Sequence, residues 1–290
     1  MLYTANLIQL IQDHGLCPHL YANNTQINGF CRPSASLELQ KVITNCLNDV
    51  AKWMRSNRFQ LNTAKTEILW SSISRRLHLL PKSPLRVGTD KVMPASVVRD
   101  LGIYIDSDVT LRSHVAKTIC ACFAALRQLR SVCRFVPRPV LQSLVSSLIL
   151  MQMDYGNGSL IGISLYQLKR LQSVINSSAQ LVFSSSRYDH ITLLLRQLHW
   201  LKATQWTDYE LAFLVYKCLK GVVPSCLADD LCQKADVEAR CRLRLASSPC
   251  LVVRRMRLST YGDQAFPVAT SRVWNSLPYH VTSAVTASFL

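Results

Sequence analysis

The chain reads as an α+β protein, with its strands confined to the first 110 residues and helices filling the rest. Three observations predict this. Short apolar runs punctuated by turn formers, at 20–27, 68–70 and 85–105, have the length of strands and hairpins. Apolar residues at steps of three and four recur at 34–54, 112–133 and 165–181, as amphipathic helices require. Only 9 Gly and 11 Pro among 290 residues, with 49% hydrophobic content, argue against a disordered chain and leave ample sequence to bury a core.

Leu7, Ile8, Leu10 and Ile11 mark a first helix over 1–14 that ends near Gly15. Leu20 to Ile27 then reads as strand, turn, strand, with Asn23-Asn24 at the tip because Asn tolerates positive φ. Pro33-Ser34 opens a second helix, capped by Ser34 or Ser36. Its stripe is Leu39, Val42, Ile43, Cys46, Leu47, Val50, Trp53 and Met54. Asn62 to Trp70 is a loop entering a strand. Residues 85–94 form a hairpin about Gly88-Thr89-Asp90, and Leu101, Ile103 and Ile105 alternate as a strand. Arg86, Lys91 and Arg99 are placed either to meet a phosphate or to stand as ordinary exposed strand residues.

Residues 112–138 carry the strongest physical signal. Val115, Ile119, Cys122, Leu126, Leu129 and Cys133 give a helix its buried seam. Arg112, Lys117, Arg127, Arg130, Arg134 and Arg138 add six positive charges, and the stretch contains no acid. An amphipathic helix with an unopposed basic face suits a phosphate backbone; the alternative is a solvated face balanced by acids elsewhere. Residues 139–183 continue as two helices, broken near Asp154-Tyr155-Gly156-Asn157-Gly158, and Ser184-Ser185-Ser186 reads as a linker. Ile191–Trp200 and Asp208–Lys220 are helical, with a polar break around Thr204-Gln205. Ala239 to Leu258 is basic and has no helical stripe, so an extended or mobile segment is expected. Phe266 and Trp274 anchor the last module.

With 33 Lys and Arg against 17 Asp and Glu, the formal charge is +16, which favours nucleic acid or an anionic surface as partner. Eleven cysteines are scattered without a Cys-x-x-Cys pair, a pattern of free thiols in a reducing compartment. His14-x-x-Cys17-x-His19 lacks a second ligand pair, so no metal site is assigned. Arg187, Asp189, His190 and His199 have no nucleophile placed beside them in a recognisable setting. The N-terminus lacks a basic leader, and Val140 to Met153 is too short and polar to span a bilayer. The expected setting is intracellular, cytoplasm or nucleus, with no membrane partner.

Several motifs in fixed order carry a resemblance. They are Leu2-Tyr3-Thr4-Ala5, Tyr21-Ala22-Asn23-Asn24, Trp53-Met54-Arg55-Ser56-Asn57-Arg58, Leu61-Asn62-Thr63-Ala64-Lys65-Thr66-Glu67 and Val98-Arg99-Asp100-Leu101-Gly102-Ile103. Met153-Asp154-Tyr155-Gly156-Asn157 and Arg272-Val273-Trp274-Asn275-Ser276-Leu277-Pro278 follow. Together, from residue 2 to about 282, they resemble the C-terminal half of a LINE-type (non-LTR) retrotransposon reverse transcriptase.

The resemblance implies a partial palm over 1–110 (a small antiparallel sheet with helices), with the 85–105 strands as its primer grip, a helical thumb over 111–183 and a helical C-terminal module with a basic segment over 187–290. It also implies that the Mg²⁺-binding Asp pair of the family is replaced here by Asn23 and Asn24. Neutral amides remove two charges where a hard cation wants charged oxygens. The earlier palm strand and the fingers are expected to lie upstream of Met1. Lys65 matches the position that protonates the departing pyrophosphate, a role with no reaction to serve here. The expectation is a truncated, inactive polymerase that retains binding to RNA or an RNA–DNA duplex through Arg112, Lys117, Arg127, Arg130, Arg134 and Arg138. The alternatives are a decayed element's translation product without evolved function, and an inhibitory partner of an intact copy.

Overall fold

The structure, a computed structural model, describes residues 5–88, 90–186, 188–233, 250–256 and 262–282. It is mixed α+β, as the sequence predicts, and divides into two compact units, Met1–His114 and Val115–Leu290.

The first unit begins with α1 (Ala5–Asp13), followed by the antiparallel hairpin β1 (Cys17–Tyr21) and β2 (Asn24–Asn28) and by α2 (Ser36–Ser56). Leu7, Ile11, Leu16, Cys46 and Val50 are its buried centre, and Leu20, Ile27, Leu39, Val42, Ile43, Trp53 and Met54 pack around them. The α2 stripe is therefore the core seam. Neither Ser34 nor Ser36 caps α2 with its side chain. Pro33–Ala35 forms a 3-10 turn instead, and the Ser36 N–H donates to the Pro33 carbonyl, so the backbone satisfies the start of the helix.

The end of α2 is closed by backbone bonds as well. Arg58 takes φ +60°, the Arg58 N–H donates to Arg55 and the Phe59 N–H to Met54 at 2.8 Å. That pair of bonds is a Schellman motif, and the Phe59 ring stacks on Trp53 beside it.

The remaining strands pair two by two. β4 (Leu85–Val87) and β5 (Asp90–Val92) flank Thr89, which lies outside the described residues. β7 (Val97–Asp100) and β8 (Ile103–Asp106) form another antiparallel hairpin. β3 (Ile68–Leu69) and β6 (Pro94–Ala95) pair in parallel. Among the described residues there are thus four separate strand pairs, three antiparallel and one parallel, in place of one small antiparallel sheet. Ile103 and Ile105 are strand residues, but Leu101 sits in the turn with φ +43°. The tip of the first hairpin is Ala22-Asn23, with Ala22 at φ +53°, because Asn24 already pairs with Tyr21.

The second unit is helical. α3 (Arg112–Val132) buries Val115, Ile119, Cys122, Leu126 and Leu129 of the seam read from sequence; Cys133 lies past its end in a 3-10 turn, half-buried. Its Cys122 thiol lies 4.0 Å from the Ile149 carbonyl and 3.8 Å from the Gln152 side chain. Those two residues belong to one helical run: α4 (Arg138–Val145), a π turn (Ser146–Leu150) and α5 (Met151–Asp154).

Gly156 at φ +73° breaks this run where expected. Next come α6 (Leu165–Phe183), α7 (Ile191–Leu198) and α8 (Ala203–Leu219). The break between α7 and α8 falls at His199–Lys202 and not at Thr204-Gln205. His199 takes φ +56°, which lets the Trp200 N–H close α7 on Leu195. The Gln205 side chain accepts the Lys202 N–H at 3.1 Å, so this polar pair belongs to the first turn of α8. Short α9 (Ser225–Ala228), then α10 (Phe266–Ser276) and α11 (Tyr279–Thr282), follow. Trp274 packs with Val215 and Leu251 in a buried cluster. Of the basic segment 239–258, only 250–256 is described; Arg240, Arg242, Arg244 and Arg257 lie outside the described residues, as does Arg187.

Candidate nucleic-acid interface

All six basic residues singled out from sequence are exposed. The structure brings three of them together. Arg127, Arg130 and Arg134 follow at steps of three and four and stand one above another over about 10 Å of α3 and the 3-10 turn Cys133–Phe135. None of the three pairs with a carboxylate among the described residues. Arg130, in the last turn of α3, also complements the helix's negative dipole end, a contribution of about 0.3–1 kcal/mol.

The other three stand apart. Arg112 is within 4.0 Å of Asp108 in the first unit. Lys117 is about 15 Å back along the helix axis from Arg127. Arg138 opens α4, with its guanidinium carbon 3.8 Å from the centre of the Phe183 ring, a cation–π contact that occupies one face and spares its in-plane N–H donors.

Sequence reasoning passed over Phe135. It lies between Arg134 and Arg138, and 86% of its surface is exposed. The available signal was an aromatic inside a basic run and two residues before Pro137.

Asn23, in the turn, and Asn24, at the start of β2, are also exposed. Asn24 lines a small cleft with His19, Leu20, Tyr21, Gln26, Asp100 and Leu101. Asp100 is the one carboxylate in that lining, and it accepts a hydrogen bond from the Gln26 amide. One engaged carboxylate beside neutral amides does not fit a catalytic Mg²⁺ pair, which needs several charged oxygens. Among the described residues no three His, Cys, Asp or Glu side chains are grouped to hold a metal. His14 faces Asp49 at 3.2 Å.

Lys65 is exposed on its loop, with its backbone N–H bonded to the Asn62 side chain at 3.2 Å. Arg86 and Lys91 are cross-strand partners on β4–β5, whereas Arg99 is on the β7–β8 hairpin against Tyr104.

The buried thiols have no electrostatic activation. Burial pushes Cys122 up to about 11, and burial followed by the Asp49 charge does the same for Cys46. No helix among the described residues is long and apolar enough to cross a membrane. Comparison with known protein families, curated proteins and solved structures found no match.

Proposed function

We propose that this protein is a LINE-type reverse-transcriptase derivative that does not polymerise and that binds RNA, or an RNA–DNA duplex, through the basic face of α3. In this reading the hairpins of residues 1–110 are a partial palm, the helices of 111–183 a thumb, and 187–290 a C-terminal module. The ordered motifs support the derivation. The neutral Asn23 and Asn24 support the loss of metal chemistry.

The observation that carries the binding is the exposed row Arg127, Arg130, Arg134, without acidic partners among the described residues. Cations on phosphates release condensed counterions, so binding is tight at low salt, salt-sensitive and indifferent to sequence. Replacing all three by Gln is expected to weaken RNA binding by about tenfold or more at low salt. The slope of log affinity against log salt should flatten by about 2 for three contacts to a single strand. Fluorescence anisotropy across a salt series measures both. Unchanged binding by the triple variant would remove the α3 assignment. Non-cooperative unfolding of the parent would favour the reading of a decayed product.

A further inference from the structure

The arginine row of α3 runs out at a ring that has no core to enter. Phe135 is 86% exposed, and Val132, one turn earlier, is 43% exposed, so the ring stands on an apolar step at the end of a basic track. The turn does not need the ring. Cys133–Phe135 is a 3-10 turn, Val136 is extended at φ −114° and ψ 129°, and Pro137 leads into α4. Backbone geometry therefore sets the position, and the phenyl is presented to water between Arg134 and Arg138. Arg138, three residues further on, is itself held against Phe183.

Charge and ring make different demands on a ligand. The arginines need a phosphate backbone, which single and double strands both supply. The ring needs the face of an aromatic base, and a duplex hides those faces inside its stack. We infer that Phe135 is a stacking platform for an unpaired base, so that this surface prefers single-stranded RNA to a fully paired helix. The inference rests on the proposed reading of α3 as the phosphate-binding face. It implies little sequence preference, since every base has a π-face.

The test uses the full chain with an RNA about 12 nucleotides long, within the span of one single-strand site, carrying 2-aminopurine near its centre, and with the blunt duplex of the same sequence. The parent should quench 2-aminopurine in the single strand. Phe135→Ala should abolish the quench and weaken single-strand binding by about five-fold or more. Its salt slope and its duplex affinity should stay at parental values, and Phe135→Trp should restore both quench and affinity. Because the ring is exposed, an unchanged thermal melt is expected for both variants.

If Phe135→Ala binds and quenches like the parent while the triple arginine variant loses binding, the stacking inference is wrong and the basic face stands. If the parent binds neither ligand, the basic-face reading fails and the stacking inference falls with it.

Discussion

The side-chain amide of Gln26 donates a hydrogen bond to the carboxylate of Asp100, 74 residues further along the chain. Gln26 is two residues past Asn24 on β2, and Asp100 ends β7, so one bond ties two lone hairpins near their tips. Two-stranded hairpins are marginal in water, which makes such a tie consequential. A hydrogen bond to a charged group is worth about 1.5–3 kcal/mol. Asp100→Ala should lower the unfolding free energy by about that much, and Asp100→Asn by less, because an amide oxygen still accepts. Denaturant unfolding reads the loss, and amide exchange over 97–106 should quicken with it. If exchange there is unaltered in Asp100→Ala, the bond does not hold the hairpin.

The same bond bears on catalysis. The one carboxylate lining the cleft beside Asn24 is already engaged. The parent is expected to show no primer extension with Mg²⁺ or Mn²⁺. Asn23→Asp combined with Asn24→Asp is expected not to restore it. Adjacent new carboxylates at an exposed turn repel one another and still lack the further ordered oxygens of a two-metal site. Templated incorporation by either protein above a mock preparation would overturn the non-polymerising reading.

How much was legible follows from where the determinants lie. The seams of α2 and α3 were readable because burial follows the helical period residue by residue, from Cys46 to Val50 and from Val115 to Leu129. The end of α1 was readable because Gly15 takes the left-handed position itself, at φ +72°. The ends of α2, α6 and α7 place Arg58, Ser184 and His199 at that position. The first and last of these carry no local signal, since backbone bonds to Arg55 and Met54, or Arg196 and Leu195, make the cap. The hairpins β1–β2 and β4–β5 were readable from their turn residues, but the pairing of β3 with β6 was not. β3 and β6 are two residues each, too short for any period to register, and pair residues 26 apart in sequence, Ile68 with Pro94. For the site, charge spacing along α3 was visible, but the exposure of Phe135 depends on where the helix stops.

His114 offers a pH test. Its side chain is buried, Nδ1 has no hydrogen-bond partner among the described residues, and burial lowers its pKa from 6.5. The unfolded chain therefore takes up a proton near pH 6.5 that the folded chain refuses. The stability contributed by a neutral His114 is fully present above that pH and is lost as pH falls below it, until the folded pKa is reached. Asp208, raised by burial from 3.8, acts in the opposite sense: the stability tied to its protonated form is lost as pH rises through its own window. Melting temperature measured from pH 8 to 5 should fall for the parent and fall less for His114→Leu. Parallel curves for the two proteins would show that His114 is not the group responsible.

The last motif of the chain has a structural content that its residue types do not disclose. In Arg272-Val273-Trp274-Asn275, the indole of Trp274 is 1% exposed against Val215 and Leu251. The neighbouring Asn275 side chain then pairs with Leu251 as a strand would. Its Oδ1 accepts the Leu251 N–H at 2.8 Å, and its Nδ2 donates to the Leu251 carbonyl at 2.9 Å. Leu251 is fully buried, with an isolated bridge to Gln233 as its one strand pairing among the described residues. Arg272 meets Asp263 at 2.9 Å on the surface, a pair of small worth. The amide is thus the element that fixes 250–256 to α10. Asn275→Ala leaves both Leu251 backbone groups short of a partner and should cost about 2–4 kcal/mol. Asn275→Asp keeps the acceptor for the N–H and sets a negative oxygen against the carbonyl, so its loss should fall between parent and Ala. The unfolding midpoint and the exchange rate of the Leu251 amide report the two effects separately. An Ala variant with the parental midpoint and a protected Leu251 amide would mean that Trp274 packing alone holds the segment.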